Sequence, residues 1–357
     1  MSSSSLHVGI LTGGGDCPGL NAVIRGVTNS LIKTVGARVT GIERGFMGMI
    51  ERRSRPLDSE AVAGILNQGG TILGTHNFAN PFSCNGVDVS DKVMEYVREL
   101  GLDALVAIGG DGTMSIANRF TPLGLPVVGV PKTIDNDLMH TERTFGFDSA
   151  VAIVAEALAR LETTARSHGR VMVLETMGRY AGWIALEGGL AGGADIILIP
   201  EKPYDLNEVI RVCKEREKKQ GYTLICIAEG ARPVDGGMVV AKHLESSPDP
   251  IRLGGVGNVL RQQLEPHLES EVRTTQLGHV QRGGTPTPYD RVLATRFGWY
   301  AAKMVANGEF GRMVVLKGDE CASVPIEDVA NRTRNVPENH SLLDVATSLG
   351  VSLGLPA

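Results

Sequence analysis

Short apolar runs recur along the chain, each followed by a glycine-rich or polar turn and then by a stretch with helical spacing. Residues 8–11, 39–42, 104–108 and 125–130 are such runs, with helix-like stretches at 21–32 and 92–100. Branched residues bounded by glycine and proline predict buried strands. A long alanine-rich helix is predicted over 149–164. From about Gly169 the pattern starts again, with strands predicted at 170–174, 195–199 and 223–228 and an amphipathic helix at 206–219. Strands alternating with helices predict an α/β fold with mainly parallel sheets flanked by helices.

Composition narrows the class. With 42% hydrophobic and 21% charged residues, the 357-residue chain is long enough for two domains with real cores. Its 45 glycines are clustered and not periodic, which suits strand-to-helix turns and excludes a collagen-like fibre. Net charge is −5 and no block of lysines or arginines stands out, so no nucleic-acid partner is expected. Five cysteines without a C-x-x-C predict reduced thiols in the cytoplasm. Residues 1–5 lack a charged n-region and an apolar h-region, and no run approaches about eighteen apolar residues. Neither an export signal nor a membrane span is expected.

Polar chemistry gathers where strands should end, the place at which open α/β sheets bind ligands. After the run 125–130 the chain reads V-P-K-T-I-D-N-D, residues 130–137. Lys132 and Thr133 can hold phosphate while Asp135 or Asp137 takes a proton; a helix-capping turn explains the same residues. After the run 8–11 comes T-G-G-G-D-C-P-G, whose glycines allow an anion to approach a helix N-terminus, or simply make a tight turn. The run 104–108 ends in G-G-D-G-T, where an aspartate between glycines suits a magnesium ion beside phosphate oxygens, with a structural turn as the other reading. Phe46, near the end of the second strand, either stacks on a base or fills core, and the sequence favours core. Residues 69–82 read as a loop over the same sheet edge, with His76 and Asn77 its polar candidates. In the second half, Arg179 beside Met177 and Gly178, Glu229 at a strand tip, and His279 three residues before Arg282 are the prominent groups. A guanidinium fork with an imidazole suits a phosphate monoester, while surface salt links are the ordinary task of arginines. The tail from Cys321 on is weakly patterned and carries no legible chemistry.

Six motifs, T-G-G-G-D-C-P-G-L-N-A, G-G-D-G-T, P-K-T-I-D-N-D, M-G-R, A-E-G and L-G-H-V-Q-R-G-G-T-P-x-P-Y-D-R, occur in the order and near the spacing found in the phosphofructokinase family, which the chain resembles from about residue 8 to 315. The resemblance implies two Rossmann-like domains with an active site in the cleft between them. The donor domain is expected over 1–146 plus 281–331 and the sugar-phosphate domain over 147–280 plus 332–357. It implies transfer of a phosphoryl group from ATP to the 1-hydroxyl of fructose 6-phosphate in glycolysis. Asp135 resembles the base, helped by Thr133, Arg179 and Gly14. Gly14, Gly110, Asp111, Gly112, Thr113, Lys132 and Phe46 match donor-site positions, and Asp111 and Asp137 are the expected Mg²⁺ carboxylates. Thr133, Asp135, Met177, Gly178, Arg179, Glu229, His279 and Arg282 match the sugar-phosphate site. Arg170 and Arg273 match arginines that relatives donate across a subunit interface, which implies a homotetramer.

The chain departs from the family at two places. An arginine that many relatives carry after G-G-T-I-L-G is replaced here by T-H-N-F, so Asn77 or Phe78 stands in its place. Ser115 and Ile116 replace the Met-Gly that follows the donor loop in well-known bacterial members. In this family, a glycine after G-G-D and a glycine before T-I-D-N-D accompany ATP, whereas an aspartate and a lysine accompany pyrophosphate. The chain has one of each, Gly112 and Lys132. An aspartate at 112 would put bulk and negative charge where the α-phosphate of ATP must lie, so Gly112 favours ATP. The alternatives are a pyrophosphate-dependent phosphotransferase and a catalytically dead regulatory paralogue, the latter opposed by intact Asp111, Asp135 and Arg179. A nicotinamide dehydrogenase lacks its fingerprint here. A lipid or dinucleotide kinase would not carry the L-G-H-V-Q-R-G-G segment.

Overall fold

The expected apolar runs all become strands in the computed structural model, which describes residues 5–243 and 251–356. Of the start read above for an export signal, residues 1–4 lie outside the described residues. The chain begins β1 (His7–Thr12), α1 (Leu20–Ser30), β2 (Arg38–Ile42), α2 (Phe46–Glu51) and β3 (Ser54–Leu57). It continues through α3 (Ser90–Leu100), β4 (Ala104–Gly109), α4 (Asp111–Phe120) and β5 (Val127–Pro131). Next come α5 (Phe147–His168), β6 (Val171–Thr176), α6 (Trp183–Ala191), β7 (Ile196–Leu198), α7 (Leu206–Lys219) and β8 (Thr223–Ala228). A hairpin, β9 (Val240–His243) and β10 (Ile251–Leu253), precedes α8 (Val256–Leu264) and β11 (Val272–Gln276). The order closes with α9 (Pro288–Asn307), β12 (Arg312–Lys317), β13 (Glu320–Pro325) and α10 (Ser341–Ser348).

Contacts divide the chain into two units. The first holds Met1–Thr133, Leu138–Gly146 and Arg282–Thr333; the second holds Ile134–Asp137, Phe147–Gln281 and Arg334–Ala357. The unit boundary therefore runs through the polar octet, leaving Lys132 and Thr133 with the first unit and Asp135 to Asp137 with the second.

In the first unit the sheet order is β13-β12-β5-β4-β1-β2-β3. The strands from β12 to β2 are parallel, and β3 and β13 close the edges antiparallel. Parallel strands buried on both faces need uninterrupted apolar sequence. Accordingly every residue of β1, β4 and β5 is buried. Leu11, Ile42, Leu105, Met114, Phe120 and Val315 belong to one core cluster beneath this sheet. In the second unit four strands run parallel in the order β11-β6-β8-β7, with Val173, Ile196, Ile225 and Leu260 in its core. Helix starts follow local chemistry. Asp205 accepts from the Asn207 N–H at 2.8 Å at the head of α7, and Thr287 caps α9 with Pro288 in its first turn. All five cysteines are free. Among the described residues no helix is long and apolar enough to cross a membrane.

Candidate active site

Strand order brings the phosphate-directed motifs of the first unit together. β5, β4 and β1 are neighbours, with Thr12 level with Ile108 and Gly109 level with Pro131, so three motif loops leave adjacent carboxyl ends at one height. Gly14 has φ +75°, a conformation that side-chain-bearing residues rarely adopt. The buried Lys132 ammonium donates to the Gly15 carbonyl, and the Arg282 guanidinium donates to the Asp16 carbonyl at 3.3 Å. Two cations thus grip the glycine loop from its carbonyl side, while the Gly13 N–H donates to the Ile108 carbonyl at 2.9 Å. Thr113 is buried against Gly13 and Gly109, where a Cβ on either would overlap it, so its side chain locks two of the loops together. Asp111 opens α4, and one of its oxygens accepts from the Asn331 N–H at 2.5 Å.

The second unit repeats the device with carboxylates. β6 and β8 pair with Thr176 level with Ala228, which sets the turn 177–179 beside Glu229. Glu229 accepts from the Arg179 backbone N–H at 3.0 Å. Arg179 has φ +50°, and a Cβ on Gly230 would overlap its carbonyl oxygen, so only glycine permits this close approach. Burial, helped by the charge of Asp135, pushes the Glu229 carboxyl up to about 7. Gln281, fully buried, accepts from the Met177 N–H at 2.8 Å and fixes the other end of the turn. Asp135 itself is buried, and the following Asn136 holds φ +52°. A cavity of about 310 Å³ opens beside the turn, lined by residues that include Tyr180, Glu201, Gly230 and Asn335.

Several expected site residues keep other company. Phe46 is a core residue, stacked on Phe120 with ring centroids 5.9 Å apart, so its ring is committed to the interior and not offered to a base. Arg282, expected with His279 at the sugar phosphate, makes its described contact with the glycine loop of the first unit, while His279 is exposed on the 3₁₀ turn Gly278–Arg282 of the chain. Arg170 and Arg273 both reach the carboxylate of Glu271, Arg170 at 2.6 Å, where β11 forms the edge of its sheet. In the loop that lacks the arginine, the exposed Phe78 donates its N–H to His76 Nδ1 at 3.1 Å and the two rings meet edge to face.

Sequence reasoning missed the supports behind this site. Glu175, the penultimate residue of β6, is a buried carboxylate that accepts from the N–H groups of Gly255 and Gly257, both at 2.8 Å, and from Gln276 at 2.9 Å. Glu201 accepts from the Gly182 and Val336 N–H groups. The signal for both was a lone glutamate at the end of an apolar strand, which is hard to tell from an ordinary strand-end residue.

The phosphofructokinase family model matches residues 7–305. The chain belongs to the phosphofructokinase family. It is 50% identical, over 97% of both chains, to a protein of Clostridium perfringens (strain 13 / Type A) named ATP-dependent 6-phosphofructokinase 2. It is 49% identical, over 93% of this chain and 96% of the other, to the pyrophosphate–fructose 6-phosphate 1-phosphotransferase of Streptomyces coelicolor (strain ATCC BAA-471 / A3(2) / M145). Among solved structures, the phosphofructokinase of Pichia pastoris superposes with a TM-score of 0.79 at 30% identity over 92% of this chain. The chain spans 36% of that longer one.

Proposed function

We propose that this member of the phosphofructokinase family transfers the terminal phosphoryl group of ATP to the 1-hydroxyl of fructose 6-phosphate. The observation that carries the reading is the 50% identity, across 97% of both chains, to a relative named for that activity. In this reading Asp135 takes the proton from the attacking hydroxyl, and the Glu229–Arg179 turn with Met177 and Gly178 holds the sugar. Gly14, Gly110, Gly112 and Thr113 receive the donor phosphates, with Lys132 bracing the glycine loop beside them. Such a division suits a reaction that needs positioning and charge neutralisation more than covalent chemistry. His279 and the arginines Arg170, Arg273 and Arg282 supply charge for the sugar phosphate, Arg170 and Arg273 from a neighbouring subunit of a homotetramer in the cytoplasm.

The donor set fits Mg²⁺. Asp111 offers a hard oxygen ligand at a helix start with no side chain on Gly112 beside it, and one or two carboxylates suffice where phosphates and waters complete the shell. Asp137 is the second expected carboxylate. When bound, the ion neutralises charge on the donor phosphates.

ATP is favoured over pyrophosphate by two features. A Cβ at Gly112 would meet nothing within 4 Å, so the glycine leaves open space next to Asp111. Lys132, the pyrophosphate-type residue, is buried and directed to the Gly15 carbonyl, which makes it a brace of the loop and no obstacle to a nucleotide. The pyrophosphate reading rests on the Streptomyces relative, whose identity is almost the same. A coupled assay with purified protein, fructose 6-phosphate and Mg²⁺ should give faster turnover with ATP than with pyrophosphate. The opposite ranking at saturating Mg²⁺ would make Lys132 the residue that sets the donor. Sedimentation should give a tetramer, and mixing Asp135→Asn with Arg273→Ala should restore activity in hybrid sites if subunits exchange.

A further inference from the structure

We propose that Arg334, in the carboxyl-terminal segment of the second unit, is the positioning residue that holds the turn bearing Asp135. The proposal rests on the reading of Asp135 as the base. Asn136, the residue after Asp135, is buried with φ +52°, a sparsely populated conformation that persists only when the surroundings over-determine it. Arg334 supplies that determination. Its guanidinium donates to the Asn136 carbonyl from Nε at 3.2 Å and from the second terminal nitrogen at 3.0 Å. Its backbone N–H donates to the Asp137 carbonyl at 2.7 Å. Consecutive carbonyls of the turn are therefore held by one residue.

Arg334 is itself fixed. The guanidinium carbon lies 4.3 Å from the centroid of the buried Trp183 ring, and the indole N–H returns a hydrogen bond to the Arg334 carbonyl at 2.9 Å. The next two residues extend the strap: Asn335 donates to the Tyr180 carbonyl at 2.7 Å, and the Val336 N–H donates to Glu201 at 2.8 Å. Tyr180 follows Arg179, so one short segment, 334–336, ties the turn of the base to the turn of the arginine. A planar fork that bonds a carbonyl with two nitrogens while stacking on an indole is an arginine property, and lysine would supply a single point charge without the stack.

Loss of the strap should let the turn drift without emptying the sugar site. Displacements near 1 Å cost about a hundredfold in rate, so Arg334→Ala in the full chain should lower kcat by about 10- to 100-fold. The KM for fructose 6-phosphate should stay within about threefold, since Arg334 makes no proposed substrate contact. Arg334→Lys should fall between. Two readings do not depend on activity. Hydrogen exchange should quicken at 134–138 while β6 stays protected. In a Trp299→Phe background, where Trp183 is the one tryptophan left, Arg334→Ala should change acrylamide quenching of its emission. Unchanged kcat with unchanged exchange at 134–138 would overturn the proposal, as would exchange quickening uniformly through the second unit, which marks a merely structural anchor. If the wild type does not phosphorylate fructose 6-phosphate at all, the functional reading fails, and exchange and quenching still decide whether the strap holds the turn.

Discussion

The glycine loops of the first unit and the 177–179 turn of the second are built on the same plan and stiffened by different means. Both lie at the carboxyl ends of adjacent parallel strands. The first ties the carbonyls of Gly15 and Asp16 to Lys132 and Arg282, and its glycines allow Thr113 and Arg282 to approach the backbone closely. The second fixes its N–H groups onto buried side-chain oxygens, Glu229 for Arg179 and Gln281 for Met177. In the proposed reading the first loop meets a polyphosphate and the second turn holds Arg179 near the attacking hydroxyl, so the one needs room for phosphate oxygens and the other a fixed backbone. The difference teaches where each half is vulnerable: the donor half to added bulk and charge, the acceptor half to lost carboxylates and lost supports.

The sharpest break of this contrast is at Asp135. Asp135→Asn should lower turnover by about 10²- to 10⁴-fold while the KM for fructose 6-phosphate stays within a few fold, as steady-state kinetics would report. Near-normal turnover would remove the base from the acceptor half.

Glu229 tests whether the acceptor half carries the cost of a buried carboxylate. Its folded value is raised to about 7 from an ordinary 4.5, so the folded chain holds the proton more tightly than the unfolded chain. The stability linked to it is full below about 4.5 and is lost as pH rises through 7, by up to about 3 kcal/mol. Urea unfolding at pH 5 and pH 8 should show that loss in the wild type and not in Glu229→Gln. Equal pH dependence in the two would place the carboxyl in a less buried setting.

Gly112→Asp probes the donor half. A negative side chain next to Asp111 should lower kcat/KM for ATP by about 10- to 100-fold and leave fructose 6-phosphate binding nearly unchanged. A parallel loss for both substrates would show general damage to the loop.

The smallest effect is expected at Glu271, which holds Arg170 and Arg273 at an exposed sheet edge. Glu271→Gln should change unfolding free energy by less than about 1 kcal/mol, as exposed ion pairs usually do. The KM for fructose 6-phosphate should nevertheless shift by a few fold in the assembled enzyme, because both arginines would be released.

Seven strands (β1, β2 and β4 to β8), their mainly parallel arrangement and the family were legible in the sequence, because apolar runs and glycine turns are local signals read within a few residues; β3 and β9 to β13 were not anticipated. Phe46 was legible as well: the core reading favoured from the pattern is the one its stacking on Phe120 supports. The bond from Arg282 to the Asp16 carbonyl, 266 positions away, was not, since residues beside that arginine in the chain pointed only to the sugar phosphate. Arg334 shows the limit most plainly. It lies in a tail without periodicity, and its bonds to Asn136 and Asp137 join segments about 200 residues apart. The sequence determined by itself the family and nominated the residues proposed for the chemistry, since residue type and strand-end position suffice to propose them. Only the tertiary structure decided what holds them, because a buried carbonyl or a left-handed backbone takes its partner from whichever segment the packing brings within hydrogen-bond distance.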